Sequence, residues 1–324
     1  MSDLKSNIFN DFLQLQQVEN SIKNLNNYIW PVYNNSIDFE QFTKDIYEVF
    51  FQYFGIYPPS PMILVNAENE VSLKFYRVRP LEDFTDLSLI TEYSYPPINN
   101  VVHRRCNFPK KPVFYSSNNP YTSIKEVVRE SETNNETIYL LSAWEINKKC
   151  SIRVVPYLFQ NLPLENEYKK LGAHALEEFK RVLEKEKQLN ESQINGCKLY
   201  LQFLASKFIE DNHNISAALA HSILYANINL RADIFIYPSI MTDLKTVNMA
   251  IHPNFVDQNM ELKRIYSIKV KKTDDKFLIG EISIRNYAEV KDGVIIWRNS
   301  DVNDKDFWEF SKDDFHRDTS NTKL

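Results

Sequence analysis

The sequence predicts an α+β protein, and three features lead to that prediction. Apolar residues recur at helical spacing near the N-terminus and again in the middle of the chain. Alternating, β-branched segments lie on both sides of that middle stretch. The 324 residues suffice to bury a large core, either as one elaborated domain or as two. We expect one core with additions.

Residues 1–58 predict a helical N-terminal extension. The first helix carries a near-heptad seam that ends at Pro31, and a second helix runs from Ser36 to a stop at Gly55. The seam fits a helix lying on its own domain, which we expect, and also a dimerising coiled coil. Its residues are Leu4, Ile8, Leu15, Val18, Ile22, Leu25 and Ile29.

Residues 60–324 predict a β-rich domain that helices interrupt. Strand patterns precede the interruption at 62–65, 71–78, 112–116 and 137–143, and follow it at 234–237, 265–270, 277–284 and 294–297. Helical spacing covers 165–190, 198–210 and 215–226. We therefore expect an inserted helical segment at about 163–228. This insertion could cover a pocket as a lid, take the place of a restraining protein partner, or form a dimer surface.

Composition excludes several function classes. The balance of 38 Lys+Arg against 43 Asp+Glu lacks the basic excess of a nucleic-acid binder. Five glycines form neither a Walker loop nor a GxGxxG turn, and the six histidines show no metal-binding spacing, so we predict no metal site. Three separated cysteines, with no signal-like or membrane-spanning apolar stretch, lead us to expect a reduced, cytoplasmic setting and no membrane partner.

Polar signatures set among apolar strand patterns point to one chemistry. In order, they are Phe75-Tyr76-Arg77-Val78-Arg79, Arg105-Cys106-Asn107, Phe114-Tyr115-Ser116-Ser117, Thr122 to Glu126, and Tyr237-Pro238-Ser239. Arginine holds phosphate bidentately, and a nearby carboxylate steadies a developing sugar cation. Taken alone, the Arg77 and Arg79 pair and Glu126 each also fit ordinary surface charges. Together they suit cleavage of a dinucleotide such as NAD.

The succession YRxR, RxN, PVFYSS, TxxxE and YPS followed by VNMA resembles the RES domain family, which is named for an arginine, a glutamate and a serine. The resemblance places these three on Arg77, Glu126 and Ser239, as the catalytic centre. It implies an ADP-ribosyltransferase-like mixed β core. It also implies an enzyme that consumes NAD as substrate, without a cofactor, by breaking the nicotinamide–ribose bond and transferring ADP-ribose to phosphate or water. Such enzymes are commonly toxins of toxin–antitoxin pairs.

The same resemblance suggests substrate-binding residues: Tyr76, Arg105, Asn107, Tyr115 and Asn248. Arg77 and Arg105 would grip phosphates, and Tyr76 or Tyr115 would stack on a ring. An antitoxin protein and a second copy of the chain are partners left open.

The chain departs from the family pattern in the loop around Cys106. His103-Arg104 stands where the family has a glycine pair, Cys106 replaces a tryptophan, and lysine follows where glycine is usual. Since glycine permits backbone conformations that larger residues resist, the loop is expected to have a different shape. Two alternatives therefore stay open: a protein ADP-ribosyltransferase, and a non-catalytic RES-like scaffold that binds a protein partner.

Overall fold

A computed structural model describes residues 12–67, 74–130, 136–146, 149–187, 189–227, 229–272, 279–300 and 304–315. The fold is mixed α+β, as predicted. The chain divides into two compact units, each built from three separate segments. Unit 1 comprises Met1–Val65, Ile98–Pro112 and Ile152–Pro238, and unit 2 comprises Asn66–Pro97, Val113–Ser151 and Ser239–Leu324.

Unit 1 is largely helical. The element bounds are α1 Leu15–Leu25, α2 Phe39–Phe54, β1 Ile63–Asn66, β5 Ser151–Pro156, α4 Lys169–Lys187, α5 Glu191–Ser206, α6 Asn214–Leu224 and β6 Ile234–Pro238. The strands lie in the order β1-β5-β6, and β5 and β6 run parallel. Helix α1 packs against α5, and α2 packs against α6, so the N-terminal helices rest on helices of the predicted insertion.

Local signals explain where these helices begin and end. The Asp38 carboxylate accepts the backbone N–H of Glu40 at the start of α2, and Gly55 ends it with a φ of +72°. At the start of α5, Asn190 and Gln193 form a reciprocal capping box, with bonds of 3.0 and 3.1 Å. Sequence-encoded caps therefore position the helices of unit 1.

Unit 2 is built on antiparallel strands. The bounds are β2 Lys74–Pro80, β3 Phe114–Ser117, α3 Pro120–Glu130, β4 Thr137–Ile146, β7 Val247–Ile251, α7 Pro253–Asn259, β8 Met260–Lys272, β9 Ile279–Lys291, β10 Val294–Asn299 and α8 Lys305–Phe315. The strands lie in the order β7-β3-β2-β4-β8-β9-β10, and each neighbouring pair is antiparallel. The helices α3 and α8 contribute to a shared apolar core with the sheet.

Strand register decides which side chains share a sheet face in unit 2. Tyr76 pairs with Ser117, and Ser117 pairs with Asn248, so these three side chains project to the same side. Tyr76 belongs to the core that includes Ile124 of α3, so α3 covers this face. Arg77, one residue on, projects to the opposite face.

A buried ionic cluster joins α8 to the sheet of unit 2. The fully buried carboxylate of Asp314 accepts hydrogen bonds from Arg264 at 2.6 and 2.8 Å, from Tyr266 at 2.6 Å and from Tyr76 at 3.0 Å. Lys74, whose side chain is also buried, lies 3.3 Å away. Burial alone would raise the pKa of Asp314, but bonding to Arg264 and the charges of Arg264 and Lys74 lower it below its usual value.

Residues 1–58 and the predicted insertion at 163–228 both fall in unit 1, and residues 60–324 are divided between the two units. Among the described residues, no helix has both the length and the apolar character required to span a membrane.

Candidate functional site

A hydrogen-bonded cluster in unit 2 is centred on the carboxylate of Glu126. Its Oε1 accepts a hydrogen bond from the Ser239 hydroxyl at 2.6 Å and another from the Asn248 side-chain amide at 2.6 Å. The Asn248 carbonyl oxygen in turn accepts from the Ser117 hydroxyl, also at 2.6 Å. Residues more than one hundred positions apart in sequence therefore meet at one carboxylate oxygen.

Helix α3 presents Glu126 to this cluster. The Asn119 side chain accepts the backbone N–H groups of Tyr121 and Thr122, at 2.9 and 3.2 Å, and so caps the first turn. One turn later, the Ser123 hydroxyl donates to the backbone carbonyl of Tyr76 at 2.6 Å. These bonds fix the helix against β2, and with it the position of Glu126.

A tight loop presents Ser239. The Ser239 backbone N–H donates to Thr246 and its carbonyl accepts from Leu244, both at 2.9 Å. Asp243 and Leu244 both have a positive φ, 51° and 63°, a backbone conformation that residues other than glycine rarely adopt. The Thr246 hydroxyl bonds those of Thr242 at 2.6 Å and of Thr122 on α3 at 2.8 Å. The loop is thus tied directly to the helix that carries Glu126.

The four side chains of the Glu126 cluster differ in exposure. Ser239 is 0%, Ser117 2% and Asn248 8% exposed, whereas Glu126 is only half-buried. The Oε2 atom of Glu126 has no hydrogen bond to the part of the chain that the structure describes. The arrangement is therefore a half-buried carboxylate held at one oxygen by buried donors.

The described contacts of Arg77 lie outside this cluster. Arg77 lies on the opposite face of β2, where its Nε donates to the Ser94 carbonyl and its Nη1 to the Tyr115 carbonyl, both at 3.0 Å. Its guanidinium also lies 5.6 Å from the centre of the Phe114 ring. These contacts fix the plane of the guanidinium group against its own chain.

Two of the predicted substrate-binding residues, Tyr115 and Tyr76, differ in exposure. Tyr115 is half-buried and, by strand alternation, shares the α3 face with Ser117. Tyr76 has no exposed surface, because its ring belongs to the core and its hydroxyl bonds Asp314. The predicted stacking of a substrate ring on Tyr76 is therefore not available in this arrangement.

The RxN element lies in unit 1. The Nη1 of Arg105 donates to the carbonyls of Phe208 and Glu210, at 2.7 and 2.8 Å. The Asn107 amide is 2% exposed and donates to the carbonyls of Val102 and Phe108, at 2.8 and 3.0 Å. Both side chains bind carbonyl groups of their own unit, so their described contacts shape the local fold.

Sequence reasoning did not identify Ser117 as a site residue. The signal was present, because Ser117 stands two residues after Tyr115 in an extended segment and so shares its face. What the sequence lacked was the register between β3 and β7, which places Ser117 beside Asn248.

No protein-family model matches this chain, and none of the curated proteins compared with it matches either. Among the described residues, no group of three or more His, Cys, Asp or Glu side chains is arranged to hold a metal ion.

Proposed function

We propose that this chain cleaves the nicotinamide–ribose bond of NAD and transfers ADP-ribose to phosphate or water. The observation that carries the proposal is the Glu126 carboxylate, oriented at one oxygen by Ser239 and Asn248 and unbonded at the other within the described residues. The order of motifs from about Phe75 to about Pro253, which resembles the RES family, supports the same proposal. In this reading, the core is ADP-ribosyltransferase-like, and the protein acts as a cytoplasmic toxin restrained by an antitoxin.

The proposed reaction makes modest demands on the protein. Nicotinamide leaves as a neutral pyridine, so the site needs little acid assistance and chiefly stabilises an oxocarbenium-like ribose. The Oε2 of Glu126 would lie against that cation, and its fixed orientation removes a reorganisation cost at the transition state. Tyr115, on the same sheet face, would stack on a ring of the substrate.

Nicotinamide release from NAD by the purified full chain, with and without inorganic phosphate, tests the proposal. We expect Glu126→Gln to reduce the rate at least a hundredfold, because the amide keeps the shape but loses the charge that faces the cation. Glu281→Gln is the matched control, since it makes the same change at an exposed carboxylate on β9 of the same unit. An inert wild-type protein, or a Glu126→Gln variant with wild-type rate, would refute the proposal.

The acceptor decides between two related activities. Transfer to phosphate or water leaves ADP-ribose on a small molecule, whereas protein ADP-ribosylation leaves it on a macromolecule. NAD labelled in its adenylate half distinguishes them, because only protein modification makes the label acid-precipitable.

A second candidate is a non-catalytic scaffold, and one observation favours it. The described contacts of Arg77 and Arg105, both expected to grip phosphate, include backbone carbonyls of their own chain. An NAD titration separates the candidates, because a ligand that binds only the folded state raises the melting temperature. A scaffold predicts no thermal shift at millimolar NAD, and the enzyme predicts a clear one.

A further inference from the structure

The side chains behind Glu126 form a directed chain of hydrogen bonds. Ser117 donates to the carbonyl oxygen of Asn248, and the amide nitrogen of Asn248 donates to Glu126, each over 2.6 Å. Both strand residues are directly paired across β3 and β7, so the backbone ladder fixes their separation. The chain therefore runs from the sheet to the carboxylate without any mobile loop.

Each bond in this chain constrains the next. A carboxylate accepts hydrogen bonds only, so the amide of Asn248 must turn its NH₂ group towards Glu126 and its oxygen towards Ser117. The Ser117 hydroxyl then supplies the donor that this buried oxygen needs. Donation to an amide oxygen also polarises the amide and strengthens the bond that its NH₂ group makes. Ser117 thereby acts on Glu126 through Asn248.

The exposed fractions of the side chains distinguish the residues that position the Glu126 carboxylate from the residue that can contact a ligand. Ser117 and Asn248 are 2% and 8% exposed, so Glu126 is the member of this chain with substantial exposed surface. We propose that Ser117 and Asn248 are positioning residues for the Glu126 carboxylate, rather than groups that bind substrate. This inference rests on the proposed function, and it reassigns Asn248 from the substrate-binding role that the motif order implies.

Ser117→Ala tests the inference, and the neighbouring Ser116 provides a closely matched control. Both are buried serines of β3, but the Ser116 hydroxyl has no hydrogen-bond partner among the described residues. We expect Ser117→Ala to lower kcat for nicotinamide release about tenfold and to leave the KM for NAD within about twofold, because a tilted carboxylate weakens the transition state. Ser116→Ala should match wild type. Ser117→Thr, which keeps the hydroxyl on a strand-compatible side chain, should restore most of the rate.

The pH profile of Asn248→Asp tests whether position 248 lies against the carboxylate on which the rate depends. The substitution places a second carboxyl group against Glu126, and two carboxylates so close cannot both ionise readily. We expect the acid limb of the kcat profile to move to higher pH, and melting temperatures will show that the variant is folded.

The outcomes separate this inference from the proposed function. If wild-type protein releases no nicotinamide, the function and the inference fall together. If wild type is active, the inference alone is overturned by a wild-type kcat for Ser117→Ala, by a raised KM at unchanged kcat, by an equal loss in Ser116→Ala, or by an unmoved acid limb in folded Asn248→Asp.

Discussion

Replacing Asp314 with asparagine should destabilise unit 2 strongly. The substitution preserves shape but removes the charge that neutralises Arg264 and Lys74, both largely buried. It also places an NH₂ group where one carboxylate oxygen accepts hydrogen bonds, so donors then face donors.

The magnitude follows from the burial of the partners. Breaking a buried ion pair by removing one member costs about 3 to 5 kcal/mol, because the other charge stays buried and uncompensated. With a urea m-value of about 3 kcal/mol/M, the unfolding midpoint should fall by more than about 1 M. The lowered pKa of Asp314 means that its stabilisation is present above about pH 4, where an unfolded Asp titrates, and is lost as the pH falls through the folded value.

Urea unfolding, with hydrogen exchange of peptides from β4 and β8 to assign the loss to unit 2, measures the effect. Asp313→Asn is the control. Asp313 also contacts Lys74 and Arg264, but its side chain is 51% exposed, so we expect a change below about 1 kcal/mol. Equal effects of the two substitutions would show that burial of Asp314 is not the source of its contribution.

Three further predictions concern unit 1. Burial, followed by the charge of Lys111, lowers the pKa of His221 to about 4, so stability is complete above about pH 6.5 and falls by up to about 3 kcal/mol as the pH drops. His221→Phe should remove that acid sensitivity in melting scans, and an unchanged slope would contradict the reasoning. Gly172→Ala should cost about 1 to 3 kcal/mol by chemical denaturation, because a Cβ would stand 2.7 Å from the carbonyl oxygen of Leu158. Gly55→Ala meets no neighbour within 4 Å, so its cost, read from the same unfolding curves, should be the roughly 1 kcal/mol of a positive φ alone.

Segments with strong local signals were predicted well. Helix α2 ends at Gly55, as expected. A glycine has the same role between β9 and β10, where Asp292 and Gly293 form the turn with positive φ, 50° and 78°. In both cases a glycine in a left-handed conformation determines the local structure.

The predicted ends of helices were wrong where contacts with distant parts of the chain determine those ends. The N-terminal seam predicted a helix as far as Pro31, but α1 ends at Leu25, and Ile29 is 91% exposed. The part of that seam in residues 1–11 lies outside the described residues. Helix α5 begins seven residues before the predicted Lys198, because its capping box starts it at Glu191 and Gly196 gives α1 room to approach.

The candidate site likewise has a part that the sequence predicted and a part that depends on tertiary structure. Motif order singled out Glu126, Ser239 and Asn248, which the structure brings together. It could not show that Arg77 projects from the opposite face of β2, since that depends on strand pairing and on the helix that covers each face. Nor could motif order show that the Tyr76 hydroxyl donates a hydrogen bond to Asp314, a residue far along the chain.

The distance in sequence between Lys74 and Asp314 has a consequence for biosynthesis. At about 5 to 20 residues per second, the ribosome makes Asp314 some 10 to 50 seconds after Lys74, because 240 residues separate them. Until then the Lys74 ammonium group lacks the Asp314 carboxylate as its counter-charge. Burying the ammonium group at that stage would cost free energy, so strand β2 is more stable with Lys74 in water. Unit 2 also draws on three segments interleaved with those of unit 1. Its final packing is therefore expected to await translation of α8, after most of both units has left the ribosome.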